Sequence, residues 1–234
     1  MKLITKLVRN FSKEARKKRA ALFRNSFQLD ENTKILDLGS ETGSAINLIL
    51  QDTPIKPENV YIADINSDVL EKGKEQYGFV PVLIDESGRL PFDDQFFDIV
   101  YCSSVIEHVT VPKKEVWSFY SGEKFKQQAL KHQKEFAREI QRLGKQYFVQ
   151  TPYRYFPVES HSWLPFIGWL PRRLVIPILK FTNLFWLKKT YPDWYLLKKN
   201  EMSMLFEDRT IIDEKSFGLT KSIMAIKSEK ESTS

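Results

Sequence analysis

KILDLGSETG, Lys34 to Gly43, is the stretch whose reading decides the fold. Ile35, Leu36 and Leu38 form a short apolar run, Asp37 sits near its end, and Gly39 and Gly43 bracket a tight loop before the apolar segment Ala45 to Leu50. That order predicts a buried strand, a loop and a helix. Glycine permits positive φ and removes the Cβ that would hold a ligand away, while the first turn of a helix presents unpaired N–H groups. A small, partly anionic ligand fits such a turn.

The spacing to the following segments strengthens the reading. NVYIADIN, Asn59 to Asn66, is a second apolar strand ending in an acid, Asp64, about twenty-five residues past Gly39. Nucleoside-binding folds place a carboxylate on the ribose hydroxyls at about that offset. VPVLIDE, Val80 to Glu86, again ends in an acid, Asp85; DIVYCSSVIEHV, Asp98 to Val109, and KQYFVQTP, Lys145 to Pro152, supply a fourth and a fifth strand. Helical patterns lie between them, Ser67 to Gly78 with Ser67 as cap, and Gln127 to Leu143 closed by Gly144. Strands alternating with helices predict a doubly wound, mostly parallel α/β sheet that binds its ligand at the carboxyl ends of the strands.

LDLGSETG, the acids Asp64 and Asp85, and FDIVYCSSVIEHV together resemble the motifs of class I S-adenosylmethionine-dependent methyltransferases of the type 11 kind, over roughly Asn32 to Lys227. The resemblance implies a seven-stranded Rossmann-like methyltransferase fold whose last strand is antiparallel and inserted between the fifth and sixth. RTIIDEKSF, Arg209 to Phe217, and KSIMAIKS, Lys221 to Ser228, would be those last two strands. It implies one methyltransferase domain over 1–234, with an N-terminal helical segment at 1–31 and an acceptor-side insertion or lid at 153–208. It implies S-adenosylmethionine as cofactor, with Asp37 and Gly39 at the methionine part, Ser40 and Gly43 in the same loop, Asp64 on the ribose, Ile65 beside it, and Asp85 with Glu86 near the adenine. Ser103 and His108 follow the fourth strand and would face the cofactor. Glu41 replaces the middle glycine of the family's GxGxG, so its side chain must point away or meet the ligand's amino group. A finer resemblance, carried by FVQTPYRYFPVESHSWLPFIGWLPR, Phe148 to Arg172, and by FGLTKSIMAIK, Phe217 to Lys227, is to methyltransferases of polysaccharide and glycolipid biosynthesis.

The acceptor is expected on Thr151 to Leu170, which follows the fifth strand. Tyr153, Arg154, Tyr155 and Trp163 suit a sugar or polyol, whose apolar faces stack on aromatics while its hydroxyls need directed partners. Methyl transfer to oxygen requires alignment and removal of the hydroxyl proton. His161 is the first choice for the base, its ordinary pKa lying near neutrality, and Glu159 would orient it or serve instead. Against this stands a structural reading of both as loop anchors. Cys102 reads as a core thiol and His132, among Lys131, Gln133 and Lys134, as an exposed residue without function.

Composition bounds the partners. Among 234 residues, Met1 to Ala20 hold eight Lys or Arg against one acid and Pro171 to Lys199 hold seven against one, so two segments carry +13 while the rest carries −7. Such segments attract phospholipid headgroups, nucleic acid or a phosphorylated substrate, and a solvated helix face explains the first equally well. The base-methylating tetrapeptide Asn/Asp-Pro-Pro-aromatic, a Pro-Cys pair and an RNP signature are all missing, which argues against nucleic acid. A single cysteine precludes an intramolecular disulfide and the Cys-plus-His metal patterns, so no metal is expected. Lys6, Arg9 and Lys13 interrupt any signal-like apolar run, which predicts a cytoplasmic protein. Leu174 to Leu187, with Pro177 inside and Arg172, Arg173, Lys188 and Lys189 flanking, is too short to span a bilayer. Either it forms a lid over the acceptor, or 163–189 lies transiently in a membrane interface.

Overall fold

The computed structural model describes residues 2–85, 88–207 and 209–229, with side chains from residue 14 onward. Among these described residues seven strands form one sheet in the order β3-β2-β1-β4-β5-β7-β6: β1 (Ile35–Leu38), β2 (Val60–Asp64), β3 (Val80–Leu83), β4 (Phe97–Ser103), β5 (Gly144–Pro152), β6 (Thr210–Ser216) and β7 (Leu219–Lys227). β1 pairs parallel with β2 and with β4, β2 pairs parallel with β3, and β6 and β7 run antiparallel. This is the Rossmann-like methyltransferase arrangement, with the seventh strand between the fifth and sixth as anticipated. The chain separates into two compact units, one of Met1–Cys102, Arg142–Phe148 and Lys227–Ser234, the other of Ser103–Gln141 and Val149–Ile226.

In the first unit, α1 (Lys2–Ser26) turns one face inward: Ala20 and Phe23, three apart, are buried, and Phe27 continues the row just past the helix. Phe23 meets Phe27, Tyr101 and Phe148 at ring distances of 4.8, 5.6 and 5.7 Å. Burying one such ring is worth about 1.5–3 kcal/mol. A short helix, α2 (Ser44–Leu50), ends where Arg24 donates to the carbonyl of Ile49 at 2.8 Å. α3 (Ser67–Tyr77) is capped by Asn66, which accepts from the Asp68 N–H, and not by Ser67; Gly78 stops it in the left-handed region at φ 75. Between β3 and β4, Phe92, Phe96 and Phe97 pack on Tyr61, and Arg142 donates to the carbonyls of Leu90 and Phe92.

The second unit holds α4 (Gly122–Leu143), α5 (Arg172–Thr182), α6 (Lys199–Leu205) and the β6–β7 hairpin. The helix expected over Gln127 to Leu143 begins earlier, at Gly122, and Gly144 does not cap α4 but opens β5 directly. A side chain at Gly144 would collide with the Gln146 carbonyl at 2.6 Å, so close backbone approach explains that glycine. His132 is part-buried against the carbonyl of Thr110, not exposed. Ile167, Val175, Leu179, Trp194 and Leu196 form a buried cluster. Among the described residues no helix is long and apolar enough to cross a membrane.

Candidate active site

The first unit builds a ligand cradle from backbone. β1 delivers Asp37, 3% exposed, to the mouth of the glycine loop, where its Oδ2 accepts from Ser40 Oγ at 2.5 Å. Burial pushes the Asp37 carboxyl up to about 7, the Ser40 hydrogen bond opposing and the nearby Asp64 charge assisting. The N–H groups of Gly39 and Ser40 donate to the carbonyl of Ala63 at the end of β2, and Gly43 N–H closes the turn on Ser40 O. Gly43 has φ 76, and a Cβ there would stand 2.9 Å from Phe79, so the position is glycine for two reasons. Gly73 of α3 packs as closely, its virtual Cβ 2.6 Å from the Thr42 carbonyl.

Asp64 follows from β2 and accepts the N–H groups of Glu41 and Asn66, each at 3.0 Å. The carboxylate therefore organises the loop in addition to any ribose contact. Ile65 is 73% exposed and Leu83, paired with Asp64 across β2 and β3, is 58% exposed. Two bare apolar side chains at the carboxyl ends of strands make a surface for a flat ring. Asp85 lies exposed beyond β3, and Glu86 falls outside the described residues. Glu41 is exposed with φ 53, an L residue held in the left-handed region. Such strain at a ligand loop costs roughly 1–2 kcal/mol.

The second unit concentrates side chains instead. After β4 the chain turns at Ser104, φ 60, and a single turn over Ile106–His108 places Glu107 inward and His108 outward. Gln133 of α4 donates to the carbonyls of Ile106 and Tyr195, Tyr195 N–H donates to Glu107 O, and Thr110 Oγ1 donates to Asp193 O. These bonds pin 193–195 beside 106–110. Asp193 Oδ1 thereby comes within 3.4 Å of His108 Nδ1, and the charge and hydrogen bond of His108 hold the Asp193 carboxyl below the usual range against the upward push of burial. A tight loop over 159–164 supplies the rest: Glu159 Oε1 accepts from the backbone and Nδ1 of His161 at 2.7 and 2.5 Å, and Oε2 accepts from the backbone and Oγ of Ser162, both at 2.7 Å.

His161 thus lies between two carboxylates, with Glu159 on Nδ1 and Glu107 Oε1 3.6 Å from Nε2. Its ring stands edge-on to His108 at 4.6 Å and stacks on Trp194 at 5.8 Å. Burial alone would lower the His161 pKa, but Glu107 and Glu159 outweigh it and raise it to about 9. Burial would raise Glu159, and the paired imidazolium brings it down to about 2. At neutral pH His161 is therefore a protonated donor, and it turns basic only as pH rises toward 9. Glu159 is both loop anchor and histidine partner.

The remaining sequence-named residues disperse within this unit. Ser103 Oγ donates to Gln150 Oε1 at 2.6 Å. Arg154 stands over the Tyr195 ring at 5.7 Å and lines a cavity of about 510 Å³ with Tyr120, Phe125, Arg173, Trp194 and Tyr195. Tyr153, Tyr155 and Trp163 lie outside that lining, each beneath a lysine: Lys199, Lys198 and Lys188. Sequence reasoning missed Asp193 and gave Glu107 no role. Neither carries a local signal, since Asp193 meets His108 only through the tertiary packing.

A family profile described as "Methyltransferase domain" matches residues 36–121. No match was found among curated proteins. The chain is similar in fold to magnesium protoporphyrin IX methyltransferase from Synechocystis PCC 6803, solved with bound SAH, at 13% identity and a TM-score of 0.55 over 96% of this chain and 87% of that one. It is similar also to a chain of the Haloferax volcanii complex of the Trm112 methyltransferase activator, at 14% identity and a TM-score of 0.53 over 91% and 88%. At such identities the likeness shows the fold. Residues 36–121 match the methyltransferase-domain profile, and the seven-stranded sheet around them has the methyltransferase fold.

Proposed function

We propose that the chain transfers the methyl group of S-adenosylmethionine to a hydroxyl of a sugar, glycan or glycolipid intermediate. The observation that carries the donor half is the cradle: Asp37 buried at the glycine loop, Asp64 at the end of β2, and exposed Ile65 and Leu83 for the adenine. The acceptor half rests on the second unit, whose cavity combines Tyr120, Trp194 and Tyr195 with Arg154 and Arg173. Aromatic faces with directed cations suit a sugar bearing an anionic group. The histidine–carboxylate centre, with His161 and Glu159 as its assigned pair, takes the proton that leaves the hydroxyl once His161 has given up its own, so turnover should rise as pH approaches 9. Calorimetry with S-adenosylmethionine tests the donor half, and release of S-adenosylhomocysteine across nucleotide sugars, lipid-linked glycans and small phenols tests the acceptor. Turnover on phenols alone would overturn the sugar assignment.

The segment 163–189 is assigned to contact an anionic membrane that presents the acceptor. α5 buries Val175, Ile176 and Leu179 yet also exposes Leu174 and Phe181, so it is apolar on both faces. Phe166, Trp169, Leu184 and Phe185 extend the bare surface, and Arg173, Lys180 and Lys189 are exposed among them. Exposed apolar surface with basic neighbours is the composition of interfacial segments. Arg172 and Lys188 take no part: Arg172 donates to the carbonyls of Phe119, Pro192 and Val116, and Lys188 to Ser160 O. Sedimentation with phosphatidylglycerol vesicles at low salt is the test, and equal recovery with neutral vesicles would remove the electrostatic part.

A further inference from the structure

The centre in the second unit contains more ligating chemistry than proton transfer uses. Glu107, His108 and His161 each offer one ligating oxygen or nitrogen, and these three atoms lie within 4.8 Å of one another. We propose that Glu107, His108 and His161 form a two-histidine, one-carboxylate site for a divalent first-row transition cation. The inference deepens the methyl-transfer reading only in what the cation does; its binding stands apart from that reading.

Three observations carry it. Glu107 is fully buried, and its Oε1 accepts no hydrogen bond among the described residues, an arrangement whose desolvation cost a cation would offset. That oxygen is 3.6 Å from His161 Nε2, close to the separation of about 3.4 Å between two ligands at bond lengths of about 2.1 Å in a tetrahedral site. Each ligand, moreover, is gripped from behind. Glu159 holds His161 Nδ1 at 2.5 Å, Asp193 faces His108 Nδ1 at 3.4 Å, and Thr151 Oγ1 donates to Glu107 Oε2 at 3.0 Å. With Nδ1 turned to a carboxylate in both rings, Nε2 is the nitrogen left for a metal, which would displace the proton that His161 otherwise carries between Glu107 and Glu159. Carboxylate-backed histidines are the usual outer support of metal ligands, and an ordinary ion pair needs no such partner on every member.

Two imidazoles and a carboxylate suit zinc, iron, cobalt or manganese better than magnesium, which takes oxygen ligands. Three protein ligands leave at least one position open. An acceptor hydroxyl in that position loses its proton more readily, the proton passing to solvent. Its oxygen then forms the new C–O bond as the sulfonium C–S bond breaks, and the electron pair stays on the sulfur of the departing neutral thioether. The expectation that no metal binds, drawn from the single cysteine, weighed Cys-plus-His patterns and not a histidine–carboxylate set.

The test uses the full chain, stripped with chelator and titrated with Co²⁺, reading visible absorption and calorimetric stoichiometry. We expect one equivalent bound at micromolar or tighter Kd. Glu107→Gln and His161→Gln should weaken binding at least 100-fold, and Asp193→Asn by 10- to 100-fold with the fold intact by circular dichroism. His108, 36% exposed in its side chain, is the member whose replacement least threatens folding, so His108→Gln must also weaken binding at an unchanged Tm. No stoichiometric binding up to millimolar Co²⁺ overturns the proposal, as does binding that survives all three ligand substitutions. Calorimetry with S-adenosylmethionine on the stripped protein keeps the two readings separate: donor binding without cobalt binding sinks the metal site alone, and cobalt binding without donor binding sinks the methyl-transfer reading alone.

Discussion

The cradle in the first unit and the histidine–carboxylate centre in the second are built on opposite principles. In the cradle, the shape is set mainly by backbone: turns at Gly39 and Gly43, N–H groups of Gly39, Ser40 and Gly43 bonded to carbonyls of Ala63 and Ser40, and Asp64 tying Glu41 and Asn66. Its parts come from three consecutive strand ends. In the centre, recognition is done by side chains from four separate places, 107–108, 151, 159–161 and 193. The contrast suits a donor that is the same in every methyltransferase and an acceptor that varies: backbone geometry is hard to alter by substitution, and side chains on loops are easy to alter.

Replacing His161 by Ala makes the sharpest cut between the two. Turnover should fall by roughly 10²- to 10⁴-fold while affinity for S-adenosylmethionine holds within about twofold. Parallel loss of both, read by kcat and calorimetry, would break the division of labour. Gly43→Val should act the other way. Its Cβ meets Phe79 at 2.9 Å in a backbone of φ 76, so about 2–4 kcal/mol of stability should be lost in denaturant melts, with cofactor binding.

Asp64→Ala is milder. It removes the acceptor of two loop N–H groups and the proposed ribose partner, and cofactor affinity should drop about 10- to 100-fold while kcat at saturating cofactor persists. Because the Asp37 carboxyl is raised to about 7 from an unfolded value near 3.8, the folded state holds a proton that the unfolded state has released. Stability therefore falls as pH rises between those two values, by roughly 2 kcal/mol between pH 5 and 7. In Asp37→Asn that slope should vanish in urea titrations; an unchanged slope would assign the titration elsewhere. Smallest of all is Glu41→Gly, which relieves a φ of 53 and should stabilise by about 1 kcal/mol or less, read as a small rise in Tm.

The cradle was legible because its determinants are contiguous. Ile35 to Leu38 with two glycines and a helix start, then an acid about twenty-five residues on, specify a strand–loop–helix site through local periodicity and turn chemistry. The mostly parallel sheet followed from the same alternation, and family likeness put the last strand between the fifth and sixth, where β7 stands. Element ends were less readable. α4 begins at Gly122 and runs straight into Gly144, because close packing of that glycine, and not a helix stop, governs the position.

Only the tertiary structure decided the second unit. His161 looked like a free base in sequence, and the approach of Glu107 from fifty-four residues away makes it an imidazolium instead. Asp193 is eighty-five residues from His108, and it reaches that ring because Gln133 and Thr110 pin its segment. Hydrophobic period and turn residues act over a few positions, so one chain suffices to read them. Electrostatic coupling acts across space at ångström range, and it belongs to whichever distant segments the packed core brings together.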